Sequence, residues 1–331
     1  MECDITAKTK ENDLVKRLLD GDKRALARLI TYVENDDPGA RDAIKQIYKH
    51  VGNAHIVGIT GIAGVGKSSL IAKMGLAYRK RGKTVGIIAV DPTSPLTGGA
   101  LLGDRVRMLE LTGDKDIFIR SMGTRGSSGG IATATYDVIN IMDAFKKDII
   151  IVESIGVGQD EIDIENFVQT LVIVTMPGGG DAVQSIKAGI LEFGDIYVVN
   201  KSDRPEATRM LSELEFMLQF NDKKSDDWEE KIVQTVATMN EGIEELLDVI
   251  EEHHKYLKKS GGLEKKRIKR SKAELIKKVS RMVENAVKDA VGESGDYTDL
   301  INKMAITGEI DPYSAAEEVF ENIGAICTVD N

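Results

Sequence analysis

Two cysteines in 331 residues are too few for a disulfide framework, and Cys3 and Cys327 stand near the two ends with no C-x-x-C partner for either. No run of 18 apolar residues occurs, and the start of the chain holds no apolar signal core, so the sequence reads as cytoplasmic. Basic charge is short as well. With 44 Lys and Arg against 54 Asp and Glu, the formal net charge is −10, which argues against nucleic acid or an anionic membrane as partner. The one basic cluster, Lys265-Lys266-Arg267-Ile268-Lys269-Arg270, could bind an anion but reads better as the solvated face of a helix. What is left is an ordinary globular composition, 42% hydrophobic and 30% charged, in a chain long enough for about two domains.

One stretch organises the rest. An apolar, β-branched run (Ile56, Val57, Ile59) leads into Gly61-Ile62-Ala63-Gly64-Val65-Gly66-Lys67-Ser68-Ser69, and a helical pattern of Leu70, Ile71, Met74, Leu76 and Ala77 follows. This is the G-x-x-x-x-G-K-[ST] phosphate loop in its proper strand-to-helix setting. Glycines let successive backbone N–H groups turn inward around an anion, and the helix that starts there adds its positive end. Lys67 is placed to reach the β- and γ-phosphates and the Ser68 hydroxyl to ligate Mg²⁺.

The base is predicted to be guanine, so the ligands are GTP and GDP. The run Ile196–Val199 ends in Asn200-Lys201-Ser202-Asp203, an N-K-x-D box. The Asp203 carboxylate accepts from both N1–H and the exocyclic amine of guanine; adenine has no donor at N1 and would leave it unpaired. Asn200 is expected to hold the base edge and the Lys201 stem to cover the base face. A backbone N–H of Val236-Ala237-Thr238, at the end of a further strand, is placed to meet the guanine O6.

Three carboxylates stand at loop starts beyond apolar runs: Asp91 after Val85–Val90, Glu153 after Ile149–Val152, and Asp104 in a glycine-rich loop. Any one alone reads as a helix cap. Three at one sheet edge read as a Mg²⁺ shell, with Glu153 closing it directly or through water, and Asp91 or Asp104 completing it or orienting the attacking water. Gly156-Val157-Gly158-Gln159 reads as a segment that senses the γ-phosphate, with Gln159 positioning the water. Asp181 and Lys187, after Pro177-Gly178-Gly179-Gly180, are candidates to report nucleotide state.

The order of elements follows from periodicity. Residues 1–52 form a helical N-terminal extension, with Leu14, Val15, Leu18, Ala25, Leu26, Leu29, Ile30 and Val33 at helical spacing and a break at Asp36-Asp37-Pro38-Gly39. Its apolar face is expected to pack on the protein's own core. Residues 53–258 alternate strands and helices: Ile56–Thr60, Val85–Val90, Ile117–Arg120, Ile149–Val152, Leu171–Thr175, Ile196–Val199 and Ile232–Val236 are the strand candidates. Most are continuously apolar, which predicts an α/β fold with a mostly parallel sheet covered on both faces and its site at the carboxyl ends of the strands. Residues 259–331 form a helical arm. It starts at the break Gly261-Gly262, carries an apolar stripe (Leu275, Val279, Met282, Val283, Ala286, Ala290), and ends in a helix that opens at Asp311-Pro312. Such a stripe favours a homodimer.

The motifs taken together resemble the MeaB/ArgK family of methylmalonyl-CoA mutase-associated GTPases, relatives of the nickel-delivery GTPases. The resemblance is carried by Asp91-Pro-Thr-Ser-Pro-Leu-Thr-Gly-Gly-Ala-Leu-Leu-Gly-Asp104-Arg105, Thr124-Arg-Gly-Ser127 and Glu153-Ser-Ile-Gly-Val-Gly-Gln-Asp-Glu161, and covers about residues 10–320. It implies a P-loop GTPase core and a C-terminal dimerisation arm. It also implies a chaperone role towards an adenosylcobalamin-dependent acyl-CoA mutase, with GTP hydrolysis gating cofactor loading and protecting the mutase. On that resemblance Lys67, Ser68, Asp91, Asp104 and Glu153 serve phosphate and Mg²⁺, and Asp181 and Lys187 face the mutase. Ser154-Ile155 stands where the family has Thr-Val, Asp160 where it has Ser, and Pro177-Gly-Gly-Gly180 where it has Pro-Gly-Ala-Gly; none of these removes a proposed ligand. The competing readings are a metal-delivery GTPase, a kinase of a transport-system binding protein, and a scaffold that binds GTP without hydrolysing it. The first lacks soft or imidazole ligands between Glu153 and Gln159, since His50, His55, His253 and His254 all lie elsewhere.

Overall fold

The computed structural model describes residues 12–37, 39–91, 108–123, 134–154, 164–178, 193–219, 228–292 and 297–322. Its helices and strands in chain order are α1 (residues 12–19), α2 (Lys23–Asn35), α3 (Ala40–Ile47), β1 (His55–Thr60), α4 (Lys67–Lys80), β2 (Val85–Asp91), β3 (Ile117–Gly123) and α5 (Thr135–Ala144). There follow β4 (Ile149–Glu153), β5 (Thr170–Thr175), β6 (Ile196–Asn200), α6 (Ala207–Leu218), β7 (Lys231–Thr235), α7 (Ile243–Ser260), α8 (Gly262–Val291), α9 (Thr298–Asn302) and α10 (Pro312–Glu321). Every expected strand is present.

The strands form one seven-stranded sheet in the order β3-β2-β4-β1-β5-β6-β7, and every pairing is parallel. Burial explains the composition of each strand. The inner strands β1, β4, β5 and β6 are buried at every residue, because helices cover both faces, and they are correspondingly apolar. The edge strands β3 and β7 are only partly covered and carry polar residues such as Arg120 and Gln234.

The chain divides into two compact units, residues 1–270 and 271–331, with the boundary inside α8. In the first unit the apolar face of the N-terminal helices is fully used. Leu14, Val15, Leu18, Ala25, Leu26, Leu29, Ile30 and Val33 are buried, and α2 packs against α5. Asp22 caps α2 by accepting from Arg24 and Ala25 N–H, and Asp36 ends it in the left-handed conformation. An ion pair between Glu34 and Arg120 ties α2 to the edge strand β3.

In the basic cluster Lys265, Arg267, Ile268 and Lys269 are exposed, as a solvated helix face requires, and its charges also find partners. Lys266 pairs with Asp195 at 2.8 Å, Lys269 with Glu165 at 2.6 Å, Arg270 donates to Asn140 Oδ1 at 2.6 Å, and Arg267 donates to Gly52 O. These contacts fasten the start of α8, which belongs to the first unit, to the rest of that unit. In the second unit Asp311 caps α10 through Tyr313 and Ser314 N–H, with Pro312 at the first helical position. The apolar stripe of α8 remains largely uncovered: Leu275, Val279 and Met282 are exposed.

Candidate functional site

The loop after β1 has a shape that glycine alone fits at two points. Gly61 sits at φ +141, and a Cβ there would stand 2.1 Å from Val174 O on the neighbouring strand. Gly66 sits at φ +98, where a Cβ would stand 2.5 Å from Asn200 Nδ2. Both are closer than packed atoms approach, and both dihedrals disfavour L side chains. At these two points the loop backbone packs directly against β5 and the Asn200 side chain.

Lys67 and Ser68 open α4, and both are buried. Lys67 Nζ donates back to Gly61 O at 2.6 Å and Ile62 O at 3.3 Å, so the loop carbonyls hold its charge over the loop. Ser68 Oγ donates to Glu153 Oε1 at 3.0 Å. Glu153 is in register with Ile59 of β1 on one side and Ala89 of β2 on the other, which centres it on the rim. Hydroxyl and carboxylate oxygens in contact are the donors a hard divalent cation takes, so the pair fits Mg²⁺. Asp91 ends β2 two residues beyond Ala89, on the same rim; its side chain lies outside the described atoms. Asp104, Gln159, Asp181 and Lys187 lie outside the described residues, as do 124–127 and 179–180.

The N-K-x-D box joins the loop directly. Asn200, at the end of β6, donates from Nδ2 to Val65 O at 2.7 Å, and its Oδ1 accepts from Thr235 Oγ1 at 3.1 Å and Ala237 N–H at 3.2 Å. Its amide braces the phosphate loop against the turn after β7 through one of its two N–H donors and its oxygen. Lys201 occupies the left-handed region at φ +59 and donates to Gly64 O at 2.8 Å, so its stem runs from the box to the loop. Asp203 is exposed. At the 3-10 turn Ala237–Met239, the preceding Val236 N–H donates to Glu241 O and Ala237 N–H donates to Asn200 Oδ1.

Sequence reasoning passed over two residues that shape this rim. Thr235 holds Asn200 through its hydroxyl and Ser202 N–H through its carbonyl; its signal was its place directly before Val236-Ala237-Thr238. Ser154 shares a 2.7 Å hydrogen bond with Thr60 and donates its N–H to Ile59 O, fixing the chain just after Glu153. Among the described residues no group of three His, Cys, Asp or Glu side chains is arranged to hold a metal ion. No helix among them is long and apolar enough to cross a membrane.

A glycine loop on a central parallel strand, capped by a buried lysine and tied to an acidic strand end, places the molecule among the phosphate-loop nucleoside triphosphatases. A crystal structure titled LAO/AO transport system kinase shares the fold, with a TM-score of 0.69 at 24% identity over 96% of this chain and 98% of that one. A sequence profile described as Methylmalonyl Co-A mutase-associated GTPase MeaB matches residues 26–292, and the chain belongs to this GTPase family. Among its relatives, a Pyrococcus abyssi protein is 49% identical over 317 residues, covering 94% of this chain and 96% of the relative. The GTPase ArgK of Escherichia coli is 32% identical over 278 residues, covering 82% and 84%.

Proposed function

We propose that this GTPase binds GTP with Mg²⁺ and uses its hydrolysis to gate adenosylcobalamin loading onto, and to protect, an acyl-CoA mutase of the methylmalonyl-CoA type. The observation that carries the nucleotide part is the Asn200 brace, one amide bonded to both the phosphate loop and the turn after β7. It supports a site in which triphosphate and base are held by one rigid body. In that site the amides of Gly61–Ser69 surround the phosphates and Lys67 exchanges its loop carbonyls for phosphate oxygens. Asp203 selects guanine, and a backbone N–H of Val236-Ala237-Thr238 meets O6. Ser68 and Glu153, with Asp91 and Asp104, are the donors that would hold Mg²⁺; when bound, the ion withdraws charge from the β- and γ-oxygens. Water positioned by Gln159 attacks the γ-phosphorus, the bond to the β–γ bridging oxygen breaks, and GDP and phosphate leave.

The family name supports the mutase as partner. Homodimerisation is supported by the second unit, where Leu275, Ile276, Val279, Met282, Ile306, Tyr313 and Phe320 are all large, apolar and exposed. The proposed organisation remains a helical extension (1–52), a GTPase core (53–258) and a dimerisation arm (259–331), working in the cytoplasm. The test is turnover: purified chain with GTP and Mg²⁺, followed by phosphate release with and without a cobalamin-dependent mutase. Release that the mutase changes supports the proposal; release indifferent to the mutase contradicts the partner, and no release in either arm contradicts the hydrolysis.

A further inference from the structure

The hydroxyls of Thr60 and Ser154 are 2.7 Å apart, and both residues are buried. Among the described residues neither hydroxyl has another partner. Thr60 is the last residue of β1 and directly precedes Gly61, the first glycine of the phosphate loop. Ser154 directly follows Glu153, the last residue of β4. Their bond joins the entrance of the loop to the exit of the strand that carries the acidic residue.

The pair lies behind the site. Side chains alternate along a strand, so Glu153 and Ser154 project to opposite faces of the sheet. Glu153 points to the face that α4 covers: Ser68 donates to it there, and Ile59 and Ile151 share one apolar cluster with Leu70 and Met74 of α4. Ser154 falls on the other face with Ile150 and Val152. α5 covers that face, since a Cβ on Gly86 would stand 2.7 Å from Met142 Sδ and 3.7 Å from Ile150 Cγ1. β1 alternates in step with β4, Ile59 being in register with Glu153, and this puts Thr60 beside Ser154. Ser154 N–H also donates to Ile59 O at 3.1 Å, so the β1–β4 ladder runs one residue past Glu153. Thr60 is held from its other side as well, by its register with Ile173 of β5 and by Val174 O, which closes the space at Gly61.

We propose that Ser154 is a positioning residue: through Thr60 its hydroxyl holds the end of β4 against the loop entrance and so keeps Glu153 opposite Ser68 for the metal ion. This rests on the reading of Ser68 and Glu153 as Mg²⁺ donors. Without the Ser154 hydroxyl, Thr60 keeps a buried hydroxyl with no partner, and a buried polar group left unpaired costs more than the net worth of the bond it lost. The end of β4 then draws away from β1 until water reaches Thr60, and Glu153 moves with it. The phosphates depend less on this bond, because Lys67 and Asn200 hold the loop through Gly61 O, Ile62 O and Val65 O.

Metal and nucleotide are read separately. Mn²⁺ stands in for Mg²⁺, and the loss of its free-ion electron paramagnetic resonance signal gives its affinity for the chain bound to a non-hydrolysable GTP analogue. Calorimetry in EDTA gives the affinity for the analogue alone. Ser154→Ala is expected to weaken Mn²⁺ binding about fivefold, the worth of one hydrogen bond, and to leave the metal-free affinity within about twofold. Ser154→Thr, which keeps the hydroxyl, is expected within about twofold of the unaltered chain in both measurements. Thr60→Val combined with Ser154→Ala removes both hydroxyls and is expected to weaken Mn²⁺ no more than Ser154→Ala alone. Unchanged Mn²⁺ affinity in Ser154→Ala, an equal loss in the metal-free arm, or a larger loss in the double variant overturns the proposal. Glu153→Ala is the control on the metal reading. Mn²⁺ affinity unchanged in Glu153→Ala removes Glu153 from the metal site and the role of Ser154 with it; affinity weakened there but not in Ser154→Ala overturns the positioning role alone.

Discussion

Replacing Asn200 by alanine tests how the site is held together. The substitution removes three hydrogen bonds at once, to Val65 O, Thr235 Oγ1 and Ala237 N–H, all in buried surroundings. At about 1 kcal/mol net for each bond, the loss is about 2–4 kcal/mol, spread between global stability and the local order of the two loops. The cavity left beside Gly66, whose Cβ position lies 2.5 Å from the Asn200 amide, frees the phosphate loop to leave the rim. If even about 1.4 kcal/mol of this loss falls on loop order, GTP binds about tenfold more weakly. Asn200→Asp divides the effect: it keeps the acceptor for Thr235 and Ala237 but sets an oxygen against Val65 O, so it weakens triphosphate binding more than it disturbs the turn after β7. Calorimetric titration with GTP and a thermal melt measure the two parts. A GTP affinity for Asn200→Ala within about twofold of the unaltered chain, whatever the melt shows, would refute the claim that this amide sets the loop.

Other outcomes follow from the same geometry. Lys67→Ala is expected to abolish tight GTP binding, because the phosphates lose their nearest counter-charge; calorimetry showing unchanged affinity removes that role from Lys67. Asp203→Asn is expected to narrow the preference for GTP over ATP by more than about tenfold, since the paired acceptor for N1–H and the amine is lost; an unchanged ratio contradicts the guanine assignment. Glu153→Ala is expected to slow hydrolysis while nucleotide still binds, because it damages the Ser68–Glu153 pair and not the base pocket; turnover at the unaltered rate retires it. For pH, the folded values of His253 and His254 lie below 6.5, so the native state binds fewer protons than the unfolded chain between about 4 and 6.5. Stability therefore falls as pH drops through that window, by at most about 3 kcal/mol for His253 alone, and urea midpoints that rise on acidification would contradict the sign.

Local pattern made most of the fold legible. Continuous apolar runs located the buried strands, and the αL residues at Asp36 and Gly261 end helices where the sequence breaks its periodicity. Long-range partners were not legible. A helical wheel through Lys265–Arg270 shows six residues rich in charge but not that Asp195, Glu165, Asn140 and Gly52 come from far along the chain to meet them. The same holds at the site. Motif spacing identified the loop and the N-K-x-D box, but not that the first residue of the box reaches 135 positions back to the loop. Nor does any local motif mark Thr170, the residue that joins His55 to His253.

The most direct measurement is a crystal structure of the chain with Mg²⁺ and a non-hydrolysable GTP analogue. The account predicts phosphates against the amides of Gly61–Ser69, the ion beside Ser68 and on the Glu153 side of the loop, and the guanine edge on Asp203. An analogue bound elsewhere, or bound with Glu153 and Asp203 remote from ion and base, would contradict it.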